Sequence, residues 1–274
     1  MKIAVFQMTS GVDPVANGDA LVAAIGEAAA HGAVMLFTPE MTGLLDCDGG
    51  RAARSVVHEN DDVVLRRARD AAKSVGLWLH LGSLAVRTNG DTRWANRGFL
   101  IDPAGKIVER YDKIHLFDVD LATGESWRES SRYLRGTRIS VAETPIGRLG
   151  LGICYDLRFP ALFQALSGAG ATAIAIPAAF TVPTGQEHWH VLLRARAIEN
   201  AAFVIAAAQV GTHEDGRQTY GHSLVVDPWG RVLLDMGETQ GLGYADIDPA
   251  LLNEVRARVP VIRHRRAIPE MVSE

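Results

Sequence analysis

The sequence predicts an α/β protein, a four-layer α-β-β-α sandwich with two pseudo-equivalent halves. Three observations carry that expectation. The turn Asp102-Pro-Ala-Gly105 recurs as Asp227-Pro-Trp-Gly230 in the second half of the 274 residues. Apolar, strand-like runs alternate with segments of helical spacing in the same order ahead of each turn. Both halves also place a proline, Pro39 and Pro177, directly after their second strand. Strands alternating with helices build sheets covered by helices, and a repeated order implies two such sheets packed against each other.

The first half opens with a strand at Ile3 to Met8, followed by an alanine-rich helix near Pro14 to His31. A strand at Ala33 to Thr38 precedes Pro39. Asp61 to Val75 reads as a helix because Val63, Val64, Leu65, Ala68, Ala71 and Ala72 recur at helical spacing. Strands at Leu77 to Leu84 and Trp94 to Ile101 lead into the first turn. The second half repeats the order: a strand at Leu149 to Cys154, a helix at Pro160 to Ala169 and a strand at Thr172 to Ile176. A helix follows at Glu187 to Asn200, with Val191, Leu192, Ala195 and Ile198 as its apolar positions, then strands at Phe203 to Gln209 and Tyr220 to Val226. In each turn Asp bonds its own backbone, Pro presets φ and Gly tolerates the exit, which suits a type I turn closing a hairpin. No linker or low-complexity tract interrupts the pattern, so residues 1–274 are expected to form a single domain.

Composition narrows the function classes. A chain that is 47% hydrophobic and 22% charged buries a substantial core. The net charge of −4 offers no field for nucleic acid or an anionic membrane, and the basic run Arg263 to Arg266 is short. No apolar stretch approaches the roughly 20 residues that a membrane-spanning helix needs. The first residues show no charged leader with an apolar core, so a cytoplasmic location is expected. Two distant cysteines, Cys47 and Cys154, make neither a disulfide framework nor a zinc site. His188, His190, His213 and His222 are not joined by a Cys or Asp cluster in the sequence, so no metal is expected, and no cofactor is implied. The glycines at 147, 150 and 152 lack the order of a dinucleotide fingerprint.

Three residue types recur at the carboxyl ends of strands, where open α/β folds expose reactive groups. Cys154 ends the strand Leu149-Gly-Leu-Gly-Ile-Cys154, just before the helix that Pro160 starts. Glu40 follows the strand of the first half through Thr38-Pro39, and Lys113 follows the first hairpin. Singly, each has a bland reading: a buried structural thiol, a solvated carboxylate, a surface lysine. Jointly they supply a nucleophile, a base and a cation.

Thr38-Pro-Glu40, Tyr111-Asp-Lys113-Ile-His-Leu-Phe-Asp118 and Gly150-Leu-Gly-Ile-Cys154-Tyr-Asp-Leu-Arg-Phe-Pro160 resemble, in order, the three signature regions of the nitrilase superfamily of carbon-nitrogen hydrolases. Pro177-Ala-Ala-Phe180, Thr184-Gly-Gln-Glu-His-Trp189 and Tyr220-Gly-His-Ser-Leu-Val-Val-Asp-Pro-Trp-Gly230 are most similar to its deaminated glutathione amidase branch. That branch usually has Glu at the positions of Ala161 and His190. The resemblance implies Glu40, Lys113 and Cys154 as a catalytic triad, with Glu129 as a second glutamate that organises the lysine and Glu125 as the alternative. It implies cysteine-dependent hydrolysis of a small linear amide through a thioester: Glu40 moves the proton from the thiol to the departing ammonia, and Lys113 with a backbone N–H near Tyr155 holds the oxyanion. Arg158 is the expected carboxylate clamp, with Tyr155, Glu187, His188 and Arg194 as further substrate contacts. The expected partners are a small-molecule amide and further copies of the chain, as a homodimer or higher homo-oligomer. The alternatives are an ω-amidase acting on α-ketoglutaramate, another amidase or carbamoylase or nitrile hydrolase of the superfamily, and, in a different class, a non-catalytic thiol redox sensor or scaffold.

Overall fold

Alternation along the strands sets both faces of the first sheet. In the computed structural model, which describes residues 1–120, 124 and 126–269, β1 (Lys2–Gln7) turns Ile3 and Val5 to one side and Ala4 to the other. Helix α1 (Pro14–Ala30) starts where Asp13 accepts from Val15 N–H and proline takes the first position, and it buries Leu21, Ala24, Ile25 and Ala28. Strand β2 (Met35–Phe37) repeats the alternation, with Leu36 toward the helices and Met35 and Phe37 away from them. After the one-turn helix α2 (Gly49–Ala52), α3 (Val63–Val75) is capped by Asp62 and stopped by Gly76 in a left-handed conformation. Its Val64, Leu65, Ala68 and Ala72 pack with α1 over β3 (Trp78–Arg87). Each such Leu or Ile buried here contributes about 1.5–3 kcal/mol. Strands β4 (Trp94–Ile101) and β5 (Ile107–Asp112) follow, joined by the first Asp-Pro turn.

Between the halves the chain makes β6 (Asp118–Asp120), β7 (Ser126–Arg128) and β8 (Tyr133–Leu134). The second half then runs β9 (Val141–Thr144), β10 (Gly147–Leu151), α4 (Pro160–Gly168), β11 (Ala173–Ala175), α5 (Val182–Asn200) and β12 (Phe203–Ala206). It continues through β13 (Val210–Thr212), β14 (Gln218–Tyr220), β15 (Leu224–Val226) and β16 (Val232–Asp235). The chain closes with β17 (Gly241–Asp246), α6 (Pro249–Arg258) and α7 (Val261–His264).

The two halves share one topology. The first sheet has the order β17-β1-β2-β3-β4-β5, with β8 beside β4, and the second has β16-β15-β12-β11-β10-β9. β1-β2-β3 and β10-β11-β12 are parallel, and each is followed by two antiparallel strands. Ile3, Val5, Met35 and Phe37 of one sheet share a core cluster with Leu149, Leu151 and Ile174 of the other. Both turns match as well: Gly105 and Gly230 donate to the carbonyls of Asp102 and Asp227, and each Asp side chain accepts two further backbone N–H groups.

Three expectations need correction. Tyr220 to Val226 is not one strand, because Gly221 and His222 both take positive φ and separate β14 from β15. Phe203 to Gln209 is likewise shorter as a strand, ending at Ala206 before β13 departs from the sheet. On α5 the buried face is Trp189, Leu193, Arg196, Ala197 and Asn200, so Val191 and Ile198 of the expected apolar stripe point outward. The basic run is a tether: Arg265 donates to Gln164 O and Asn200 Oδ1, tying the segment after α7 to α4 and α5. Among the described residues, no helix is long and apolar enough to cross a membrane.

Candidate active site

Cys154 stands on a strained elbow just past β10. Its N–H donates to Pro177 O, which continues the pairing with β11, and its φ is +49°. A non-glycine residue in that region costs on the order of 1–3 kcal/mol and persists only where its surroundings over-determine it. The buried Asp156 does this. Its Oδ2 accepts from Ile153 N–H at 2.9 Å and Tyr111 O–H at 2.7 Å, and its Oδ1 accepts from His115 N–H at 3.0 Å. One carboxylate thereby fastens the cysteine turn to the segment that carries Lys113. On the first sheet the same device appears at Glu40: Met41 has φ +57° and its N–H donates to Ser83 Oγ. Close approach is required there, since a Cβ at Gly82 would sit 2.1 Å from Thr38 O.

The acidic and basic groups converge on one ammonium. Lys113, only 2% exposed, donates to Glu40 Oε1 at 2.9 Å and to Glu129 Oε2 at 2.9 Å and Oε1 at 3.1 Å. Asn96 Nδ2 bridges the two carboxylates, at 2.8 Å from Glu40 and 3.2 Å from Glu129. Ala179 N–H donates to Glu40 Oε2, and Phe117 N–H donates to Glu129 Oε2 at 2.6 Å. Glu40 and the Cys154 thiol share the cavity wall, close enough for each to act on the other's ionisation. Glu129 thus belongs to the cluster, while Glu125 lies outside the described residues.

Burial and charge act in opposition on these groups. Burial pushes Glu40 up, but Lys113, the thiol and Asn96 together hold it below the usual carboxylate range. Burial pushes Lys113 down, and the two glutamates more than reverse this, holding it firmly protonated. Burial and then the Glu40 charge push the Cys154 thiol well up, against the pull of Lys113. The resting state is therefore carboxylate, ammonium and neutral thiol.

A cavity of about 480 Å³ opens onto the cluster, with Glu40, Lys113, Glu129 and Cys154 in its wall. Trp94, Phe117, Trp127, Tyr133, Tyr155 and Phe180 give it an aromatic lining. Tyr155 is edge-on to Phe117, with ring centroids 5.1 Å apart. Such a mostly apolar pocket with a few convergent polar groups fits a small polar molecule.

The other expected substrate contacts lie elsewhere. Arg158 does not line the cavity; its guanidinium lies over the rings of Phe180 and Tyr155 and meets His188 Nδ1 at 3.2 Å. The nearby Asp156 carboxylate is held instead by Tyr111, Ile153 and His115. Glu187 and His188 are exposed on α5, and Arg194 donates to Gly230 O at the second turn. Ala161 is exposed, and His190 joins His222 on either side of Asp235 at the surface. Both departures from the branch pattern therefore fall outside the cavity lining. The sequence did not suggest that Asp235 joins two of the histidines, which lie far apart along the chain. Asn96, Asp156 and Arg217 were not anticipated either.

The family model for carbon-nitrogen hydrolases matches residues 2–257. Deaminated glutathione amidase from Yersinia enterocolitica is 40% identical, over 88% of this chain and 85% of its own length. The crystal structure of the Caenorhabditis elegans NitFhit protein matches with a TM-score of 0.90 and 39% identity, covering 97% of this chain and 65% of that chain. The present chain thus spans about two thirds of that structure, and 60% of the curated fusion protein. The amidase of Nesterenkonia sp. AN1, in a form with acrylamide added to its active-site cysteine, matches with a TM-score of 0.78 and 28% identity over 95% of this chain and 98% of that chain.

Proposed function

This chain belongs to the carbon-nitrogen hydrolase family of the nitrilase superfamily and is a hydrolytic amidase, and we propose that it cleaves deaminated glutathione with Cys154 as nucleophile. The observation that carries the residue assignment is the buried Glu40–Lys113–Glu129 cluster placed against the Cys154 thiol at the cavity wall. The active-site cysteine of the Nesterenkonia amidase supports the same choice. The substrate rests on the name shared by the bacterial and animal relatives.

Glu40 is the base. Because the resting thiol is neutral and Glu40 is a weak base, proton transfer runs together with formation of the C–S bond. The carbonyl oxygen becomes an oxyanion, held by the Lys113 ammonium and the Tyr155 N–H, and a donor of this kind contributes about 3 kcal/mol. As the C–N bond breaks, Glu40 returns the proton to the leaving nitrogen and an acyl thioester remains. Glu40 then takes a proton from water, which attacks the thioester and frees the acid and the thiol. Glu129 keeps Lys113 charged and aimed.

In deaminated glutathione the leaving group is an amine, so released amine is measured alongside ammonia. Purified protein is offered deaminated glutathione, 2-oxoglutaramate, N-carbamoyl amino acids and simple nitriles. Turnover with the highest kcat/KM on deaminated glutathione is expected; preference for 2-oxoglutaramate assigns ω-amidase activity instead, and no hydrolysis of any amide contradicts the function.

Glu40→Gln removes both the base and one upward push on the thiol. Loss of turnover is expected together with thiolate absorbance near 240 nm rising at lower pH than in the parent, each measured in a Cys47→Ser background. An unchanged or higher titration contradicts the assigned contact.

We further propose a homodimer or larger homo-oligomer in the cytoplasm. Val191 and Ile198 are exposed on one face of α5, with Trp229, Val232 and Leu233 exposed on the adjoining hairpin, and free thiols suit a reducing compartment. A monomer by light scattering contradicts the assembly.

A further inference from the structure

Resting on the amidase reading, we infer that Arg217 recognises a free carboxylate on the substrate, which makes the cavity a site for anionic amides. Four cations line it: Lys113, Arg128, Arg132 and Arg217. Three are committed. Lys113 holds the two glutamates, Arg128 pairs with both oxygens of Asp120, and Arg132 donates to Cys47 O. Arg217 differs from these. Among the described residues its buried Nε has no acceptor, and its guanidinium makes only a long ion pair with Asp215, at 3.9 Å and beyond hydrogen-bond reach. That carboxylate is already occupied by the backbone N–H groups of Cys47 and Arg217.

The surroundings hold the guanidinium ready rather than satisfied. It lies 4.5 Å from the centroid of the Trp127 ring, which orients the plane. The hairpin that carries it is fixed at three points: Val210 N–H donates to Met8 O, Tyr220 N–H donates to Phe180 O, and His213 bridges Ser10 O and Thr219 Oγ1. The side chain is 20% exposed, so its terminal N–H groups can be reached by a ligand in the cavity. Among the described residues that long contact with Asp215 is its one ion pair, so this largely buried cation is only partly compensated until a further anion arrives, and a planar fork suits a carboxylate. The acids in the cavity wall do not fill that role, since Glu40 and Glu129 hold Lys113 and Asp46 is paired with Arg51.

The test compares 4-carbamoylbutanoate with its methyl ester, which carries the same amide without the charge. The ratio of their kcat/KM values is expected to favour the acid in the parent enzyme, and to fall by about 100-fold in Arg217→Gln, carried by KM. Arg217→Lys, which keeps the charge but not the fork, is expected to recover part of the ratio. In the parent enzyme glutarate is expected to compete with substrate where glutaramide does not, a readout independent of any variant. A ratio unchanged in both variants, or equal competition by glutarate and glutaramide, overturns the inference while leaving the amidase reading intact. Failure of the parent to hydrolyse either compound or deaminated glutathione removes the amidase reading and this inference with it.

Discussion

Cys154→Ala is expected to lower amide hydrolysis by on the order of 10⁵-fold or more, because the remaining groups have nothing to transfer the acyl group to. Stability is expected to change by about 2 kcal/mol at most, since only one small buried atom is lost and alanine meets the same φ of +49° at that position. The contrast between the two readouts is the useful part. A structural cysteine predicts the reverse, with hydrolysis retained and the cost confined to folding. The elbow itself does not depend on sulfur: Asp156 holds the backbone on both sides of the turn through Ile153, Tyr111 and His115.

Lys113→Met is expected to damage both function and fold. Activity loses the oxyanion donor and the cation that offsets the Glu40 charge, on the order of 10³-fold or more. Stability is expected to fall by about 3–5 kcal/mol, because two buried carboxylates lose their shared counter-charge. The pH dependence follows from the directions of the shifts. In the parent, Glu40 is depressed below its usual 4.5, so its contribution is present above that value and is lost as pH falls through the folded value. Without Lys113, burial is the largest influence left on Glu40, opposed only by the thiol and Asn96, so Glu40 is expected to rise and the variant is penalised wherever the unfolded chain ionises. The stability difference is therefore expected to be widest near neutral pH and to narrow as pH drops through about 4.5. Denaturant titrations at pH 4 and pH 7 check this, and a gap that widens in acid contradicts the cluster as described.

Local chemistry made much of the fold legible. Asp-Pro-x-Gly turns declare themselves within four residues, and strands ending in Pro39 and Pro177 mark corresponding corners of the two halves. Glu40, Lys113 and Cys154 are legible for a related reason, as each follows directly on a strand or hairpin. The misses share a different cause. Asp156 reads as an ordinary turn acid, and its partners Tyr111 and His115 are 45 and 41 residues away. Asn96 sits inside a strand, and only the approach of Glu40 and Glu129 shows what it does. Arg217 lies on a hairpin outside both sheets. On α5 the expected apolar stripe was out of phase: Trp189, Leu193 and Ala197 are buried, while Val191 and Ile198 are exposed.

The most direct test of the proposed chemistry is intact-mass and peptide mass spectrometry of enzyme quenched in acid during turnover of deaminated glutathione. The expected result is a mass increase equal to the acyl portion, located on the peptide containing Cys154 and absent from Cys154→Ala. Turnover with no adduct under conditions that preserve thioesters, or an adduct on Cys47 with hydrolysis intact in Cys154→Ala, contradicts it.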